Sequence, residues 1–450
     1  MKILAFGPTD IMKKALLASL VAFSSLSLVA CGSSGSGNGS SSGGDGGACA
    51  TAATGTVTIN VTGLPAGVDG SVTVTGPDGA QTVTASKTLT SIKSGDYTVL
   101  AANVGQADPI VRKAFKATAS VSTAKVCDGQ TVTIDVTYAP IATSNKIWWG
   151  STNSTNDTLA WSSSQLAATG APDPSVAATT AGALPGAFDK DGNLWVIDGT
   201  AGSVGIKRYA ADALASSGNK TPDIVLSSDA FIGGTPGPVS MAFDPKGNLW
   251  VGILYAQQVV ELDASQLTAT GTVAPKITLS NVDTPNALAF DVKGNLWIGS
   301  GDNVVEYTSS RLGASTSTPP DATIIAQTPQ PVVGPLTNVL GLAFTADDKL
   351  WVDYNGTIAR IDNLASGTVT PDIQIKTDVL GLPTGIALDE GGGMWMAYAQ
   401  GKLAKLTPTQ LAASGAVTPE VVITSNAIGS ATMPALFPAP ANLPLYSALK

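Results

Sequence analysis

The chain contains no histidine at all. Ser-His-Asp and Cys-His nucleophile systems, imidazole general bases and histidine-held zinc, copper or iron are therefore excluded. Any catalysis would fall to carboxylates, lysine, tyrosine or an oxygen-bound metal. Charge is scarce as well: Asp, Glu, Lys and Arg make up 13% of the residues, with a net charge of −9. No run of Lys or Arg offers the basic surface that phosphate backbones require, so nucleic acid is not an expected partner. Cysteine occurs three times. Beyond the N-terminus no apolar run is long enough to cross a bilayer.

Against those absences stands a repeated phrase: an apolar segment, a short Asp/Gly/Asn turn, then a hydrophobic residue and Trp. It reads Ala187-Phe188-Asp189 to Leu194-Trp195, Ala242-Phe243-Asp244 to Leu249-Trp250, Ala289-Phe290-Asp291 to Leu296-Trp297, Ala343-Phe344 to Leu350-Trp351, and Ala387-Leu388 to Met394-Trp395. The Trp residues lie 55, 47, 54 and 44 positions apart. A unit of this length that reads strand, tight turn, strand is the mark of a β-propeller or a related β array. Lys146-Ile147-Trp148-Trp149-Gly150 supplies a sixth Trp strand but has no first strand before it. Met433 to Phe437, at the far end, supplies one. A phrase such as Ser265-Gln266-Leu267 to Gly271, recurring six times, marks an outer strand. The count gives six blades over 142–450, with Asn442 to Tyr446 echoing a further second strand and leaving a seventh blade as the alternative.

Residues 49–140 read differently. Thr56-Val57-Thr58-Ile59-Asn60-Val61 alternates apolar and polar residues as a half-buried strand does, and similar short strands follow between Gly/Pro turns. This pattern predicts a small β-sandwich. The fold class expected for the whole chain is all-β, a six-bladed β-propeller with an N-terminal β-sandwich domain.

The Gly-Asn-Leu-Trp-Val phrase resembles the bacterial NHL-type six-bladed propellers and related enzymes of the gluconolactonase/regucalcin and virginiamycin B lyase types. Virginiamycin B lyase-like chemistry relies on a histidine base, which this chain lacks. The regucalcin type needs a Glu/Asn/Asp metal set, and neither Glu261 nor Glu390 matches it by motif. Gly95-Asp96-Tyr97-Thr98-Val99 is similar to the closing strand of carboxypeptidase-regulatory and PEGA-like domains, which implies a spacer or adhesion module. Lys13 and Lys14, the apolar run from Ala15 to Ala30, and Leu28-Val29-Ala30-Cys31 resemble a bacterial lipoprotein signal peptide over residues 1–31. That resemblance implies acylation of Cys31, and Gly32 after it implies export to the outer membrane, with the protein facing the periplasm or the exterior. Residues 32–48 are almost wholly Gly and Ser and read as a flexible tether. With Cys31 acylated, Cys49 and Cys127 remain as a pair in an oxidising compartment. A disulfide between them is expected, contributing about 4 kcal/mol in the chain-entropy model.

Propeller function commonly sits where the second-to-third and fourth-to-first strand loops converge. The first set offers Asn153, Asp198, Tyr255, Asp302, Asp353 and Tyr398 as candidate ligand-binding residues. Neither a metal nor another cofactor is expected, and no catalytic residue is assigned. These features predict a lipid-anchored envelope protein that binds a protein or glycan ligand and reaches the membrane through its N-terminal lipid. The alternatives are a metal-dependent lactonase- or lyase-type propeller enzyme, and a structural subunit docked through the sandwich.

Overall fold

A computed structural model describes residues 54–151, 157–180, 186–198, 204–231, 237–328, 335–379, 381–429, 431–440 and 449. The signal-peptide, tether and Cys31 readings, Cys49 and Asn153 lie outside the described residues. Within them the strands form eight sheets. Among the described residues no helix is long and apolar enough to cross a membrane.

Two of the sheets make the N-terminal sandwich. Thr54–Thr62 pairs antiparallel with Lys87–Lys93 and parallel with Thr131–Pro140, and its alternation turns Val57 and Ile59 inward. Val72–Gly76, Gly95–Ala101 and their neighbours form the facing sheet. Val72, Val74, Val99, Ile134 and Phe115 close the core between the two layers. Both tyrosine hydroxyls are used at its rim. Tyr97 Oη donates to the Lys93 carbonyl at 2.8 Å, and Tyr138 Oη accepts the Ser71 amide at 2.8 Å.

The other six sheets are blades, each an antiparallel meander of four strands. In chain order their inner strands are Ala187–Phe188, Pro238–Phe243, Pro285–Phe290, Val339–Phe344, Pro383–Leu388 and Ala431–Phe437. Each inner strand touches the next, and Ala431–Phe437 touches Ala187–Phe188, so the ring closes. We number the blades from the one containing Lys146–Ser151. Its inner strand is the C-terminal Ala431–Phe437, paired antiparallel with Ile147 opposite Leu436 and Trp148 opposite Ala435. The first and last segments of the propeller thus share blade 1, which the C-terminal strand completes to four strands.

The outer phrase is more than the strand the sequence suggests. Its leucines, such as Leu214 and Leu267, are buried in short 3-10 turns, and the residues that follow pair in parallel with the outer strand of the preceding blade. The same stitch recurs as Ile324 to Gly367, Ile375 to Gly415, Leu279 to Thr316 and finally Ile423 to Gly170. The last of these joins blade 6 to blade 1, with the Gly170 amide donating to the Val422 carbonyl at 3.1 Å.

The Asp/Gly/Asn turns explain why the Trp phrase repeats. Asp291 Oδ1 accepts the amides of Lys293 and Asn295, each at 2.9 Å, and Oδ2 accepts Asn295 Nδ2 at 2.9 Å and Trp297 Nε1 at 3.0 Å. Gly294, at φ +77, makes the turn possible. Asn295 Oδ1 then accepts the Ser309 amide and ties the turn to the next connection. The same bonds recur at Asp189 and Asp244. These carboxylates are consumed by their own turns. The Trp side chains they anchor, Trp195, Trp250 and Trp297, and Trp395 held likewise by Asp389, are buried between blades. Asp291→Ala should cost about 3 kcal/mol in urea unfolding, because it leaves buried donors without partners. A loss under about 0.5 kcal/mol, the level of an ordinary surface substitution, would contradict this role.

The sandwich is packed into the propeller rather than hung from it. Ile110 and Val111 share a core with Trp149, Trp161 and Trp395. Their loop is held by Asp108, whose Oδ1 accepts both of their amides and whose Oδ2 accepts Asn145 Nδ2. The turn of blade 6 meets it by backbone: Glu390 N–H donates to Ile110 O and Gly391 N–H to Pro109 O. A Cβ on Gly391 would stand 2.8 Å from the Pro109 carbonyl, so only glycine allows this approach. Thr143 Oγ1 fixes the blade 2 turn from the other side by donating to Gly192 O at 2.7 Å.

Candidate functional site

Two regions at the propeller axis have the concavity or the polar groups a ligand needs. One is the loop end, where the sequence places its candidates. The other is the bore between the inner strands.

The five described candidates at the loop end do not form one ring. Asp198, the last residue of Leu194–Asp198, is buried and pairs with Lys207 Nζ at 2.8 Å on the neighbouring strand. Tyr255 is 60% exposed, and Asp302 is exposed with Oδ1 accepting the Asn338 amide at 2.8 Å. Tyr398 is buried, its hydroxyl 2.7 Å from Thr377 Oγ1 on blade 5, and burial pushes it up to about 12. Asp353 is wholly buried, and neither of its oxygens makes a hydrogen bond of full geometry. Its register partner is Gly341, at whose position a Cβ would lie 3.1 Å from Gly385 Cα of blade 6. Asp353 therefore sits in a layer where two blades meet backbone to backbone. Burial pushes its carboxyl up to about 7, the Gly356 amide opposing only in part.

Glu261 and Glu390 also stand apart. Glu261 is buried opposite Trp250 on blade 3, while Glu390 lies on the blade 6 turn 3.8 Å from Arg112 of the sandwich loop. Among the described residues no group of three or more Cys, Asp or Glu side chains comes together that could hold a metal.

The bore is built by a repeated irregularity. In blades 3 to 6 the inner strand carries a bulge, between Pro238 and Ser240, Pro285 and Ala287, Val339 and Gly341, and Pro383 and Gly385. The extra residue breaks the two-residue alternation, so that half-buried positions fall three apart. One set is the bulged residues themselves, Val239, Asn286, Leu340 and Thr384. The other is alanine in every blade: Ala187, Ala242, Ala289, Ala343, Ala387 and Ala435, each directly across from a Trp. Together with Phe243, Phe290 and Phe344 these alanines line an axial cavity of about 210 Å³, and every lining side chain is apolar. The repeated Ala-Phe of the sequence phrase was the signal for this cavity. Composition gave it no weight, because alanine before phenylalanine reads as ordinary core.

A closed ring of six radially arranged antiparallel sheets with inner strands around a bore defines a β-propeller. No protein-family model matches the chain, and no curated protein matches it. Among solved structures it is similar to a streptogramin B lyase, at 13% identity and a TM-score of 0.31, over 50% of this chain and 65% of that one. It is also similar to a chain in the mitotic checkpoint complex, at 13% identity and a TM-score of 0.34, over 50% of this chain and 62% of that one. The chain thus spans less than two thirds of either structure. At that distance the likeness carries nothing about activity.

Proposed function

We propose that this protein is an NHL-like propeller of the bacterial envelope that binds a protein or glycan ligand through its loop end. In this reading it is anchored by lipid on Cys31, at the outer membrane, and carries a PEGA-like sandwich braced by a Cys49–Cys127 disulfide. The sulfur of Cys127 is in a disulfide. The observation that carries the reading is the dispersal of the loop-end acids: Lys207 takes Asp198, the interior takes Asp353, and Asp302 and Tyr255 stay at the surface. That arrangement supports a contact surface, since a metal-dependent lactonase or lyase needs several oxygen ligands aimed at one point. Exposed aromatic and acidic side chains at the same end suit recognition.

A photo-crosslinking residue at position 255 in cells should trap an envelope protein or glycan. The same residue at Lys246, on the opposite turn end, should not. Equal capture at both positions, or none at 255, would remove the support for the loop end as the binding face.

A further inference from the structure

Blade 5 breaks the rule that holds the repeated tryptophans. In blades 2, 3, 4 and 6 the carboxylate six residues earlier accepts the indole N–H at 3.0 to 3.2 Å. In blade 5 that place belongs to Thr345, which is one acceptor oxygen short. Its hydroxyl accepts the Lys349 amide at 3.0 Å, as the first carboxylate oxygen of Asp291 does for Asn295, and donates to Asp347 Oδ1 at 2.6 Å. Nothing stands in for the second oxygen. The N–H of Trp351, a residue only 2% exposed, therefore meets no acceptor among the described residues. A buried donor without a partner is costly, and this one borders a cavity. Thr345 and Trp351 both line a space of about 340 Å³ between blades 5 and 6, of a size that takes a small molecule. Leu388, Pro408 and Leu411 of blade 6 give it an apolar wall, and Lys349 and Arg360 give it positive charge. Arg360 lies over the Trp351 ring, 6.0 Å from its centre. It commits Nε and Nη2 to Asp362 at 2.7 and 3.1 Å, which leaves Nη1 to donate elsewhere. Lys349 Nζ stands between Asp347 and Asp362, at 3.5 and 3.4 Å.

We propose that this cavity is a binding site for a small organic carboxylate with an apolar body. One ligand oxygen takes the place that Asp244 Oδ2 and Asp291 Oδ2 hold in their own blades, and accepts the Trp351 N–H. Arg360 supplies a facing charge, and the apolar remainder lies against Leu388, Pro408 and Leu411. Of the three charged side chains that line the cavity two are cations, and the acid, Asp347, is already engaged by Thr345 and Lys349. An anion is thereby selected over its neutral isostere. The site lies at the turn end, away from the loop-end contact surface, and either can fail without the other.

The test uses the full chain carrying Cys31→Ser, so that no acyl group competes, with its eight tryptophans labelled with nitrogen-15 for NMR. Hexanoate is the probe and hexanamide its neutral isostere. Hexanoate should shift one indole N–H signal saturably, at one ligand per protein, and that signal should be the one missing from Trp351→Phe. Hexanamide should bind at least fivefold more weakly. Thr345→Asp supplies the missing carboxylate from the chain itself. In that variant the Trp351 signal should move in the same direction without ligand, and hexanoate affinity should fall at least tenfold. Arg360→Gln should weaken hexanoate at least fivefold and leave hexanamide unchanged, which keeps the test decisive if Thr345→Asp does not fold. No saturable shift at Trp351, equal binding of acid and amide, or full hexanoate affinity in Arg360→Gln or in a cooperatively melting Thr345→Asp protein would overturn the proposal.

Discussion

At pH 8 the Asp353→Asn protein should melt well above the wild type, and at pH 4 the two should nearly coincide. Asp353 is buried without a charge partner, and its carboxyl is pushed up to about 7 in the fold. In the unfolded chain it titrates near its ordinary value of 3.8. Because the folded state holds the proton more tightly, protonation favours folding. This contribution is fully present below the unfolded value and is lost as pH rises through about 7. A separation of that size corresponds to about 4 kcal/mol at alkaline pH. Asparagine keeps the shape and removes the charge, so thermal melts from pH 4 to 8.5 should show the variant flatter than wild type. Parallel curves would mean that Asp353 is ionised and satisfied in the fold. Buried Glu261 and half-buried Glu306 are raised by burial too and tilt both proteins in the same direction, which is why the difference between variant and wild type is the informative quantity.

The second large effect is expected on removing residues 431–450. Blade 1 would lose its inner strand, leaving Trp148 and Trp149 on an open edge. Burial of Met433, Pro434, Leu436 and Phe437 against that blade and its neighbours is worth roughly 5–10 kcal/mol, comparable with the whole stability of an ordinary domain. The truncated chain should therefore fail to give a cooperative thermal transition, or aggregate through the open edge. Thr169→Ala is the contrasting change. It touches only the peripheral stitch, where Thr169 Oγ1 accepts the Val422 amide at 3.1 Å, and should cost about 1 kcal/mol or less. A truncation no more harmful than Thr169→Ala would show that the C-terminal strand does not close the ring.

Much of the architecture was readable from residues because local rules and global fold agree. Trp with Asp six positions earlier is a hydrogen-bonded unit in blades 2, 3, 4 and 6, so its repetition marks the blades, with Thr345 in the Asp place before Trp351. The isolated Met433 to Phe437 segment had no partner nearby in sequence, which pointed it to the blade that lacked one. What could not be read depends on contacts between distant segments. The loop at Asp108 to Val111 looks like any polar turn until Gly391 lets the two backbones meet. Position in a loop also proved a poor guide to exposure. Asp353 and Tyr398 lie at or next to the ends of their strands as Asp302 neighbours its own, yet the glycines at 341 and 385 draw blades 5 and 6 together over Asp353. The bore escaped notice because a β-bulge converts a two-residue period into a three-residue one, and nothing in composition announces it.

The central claim is that the loop end recognises a ligand without metal chemistry, and a calcium titration tests it most directly. Thermal melts of the full chain over micromolar to millimolar calcium, with lactone hydrolysis followed in parallel, should show no saturable rise in melting temperature and no turnover, since ligand binding to the folded state alone would raise it by mass action. A concentration-dependent rise that disappears in Asp198→Asn or Asp302→Asn and is accompanied by hydrolysis would contradict the claim, and would make the protein a metal-dependent enzyme.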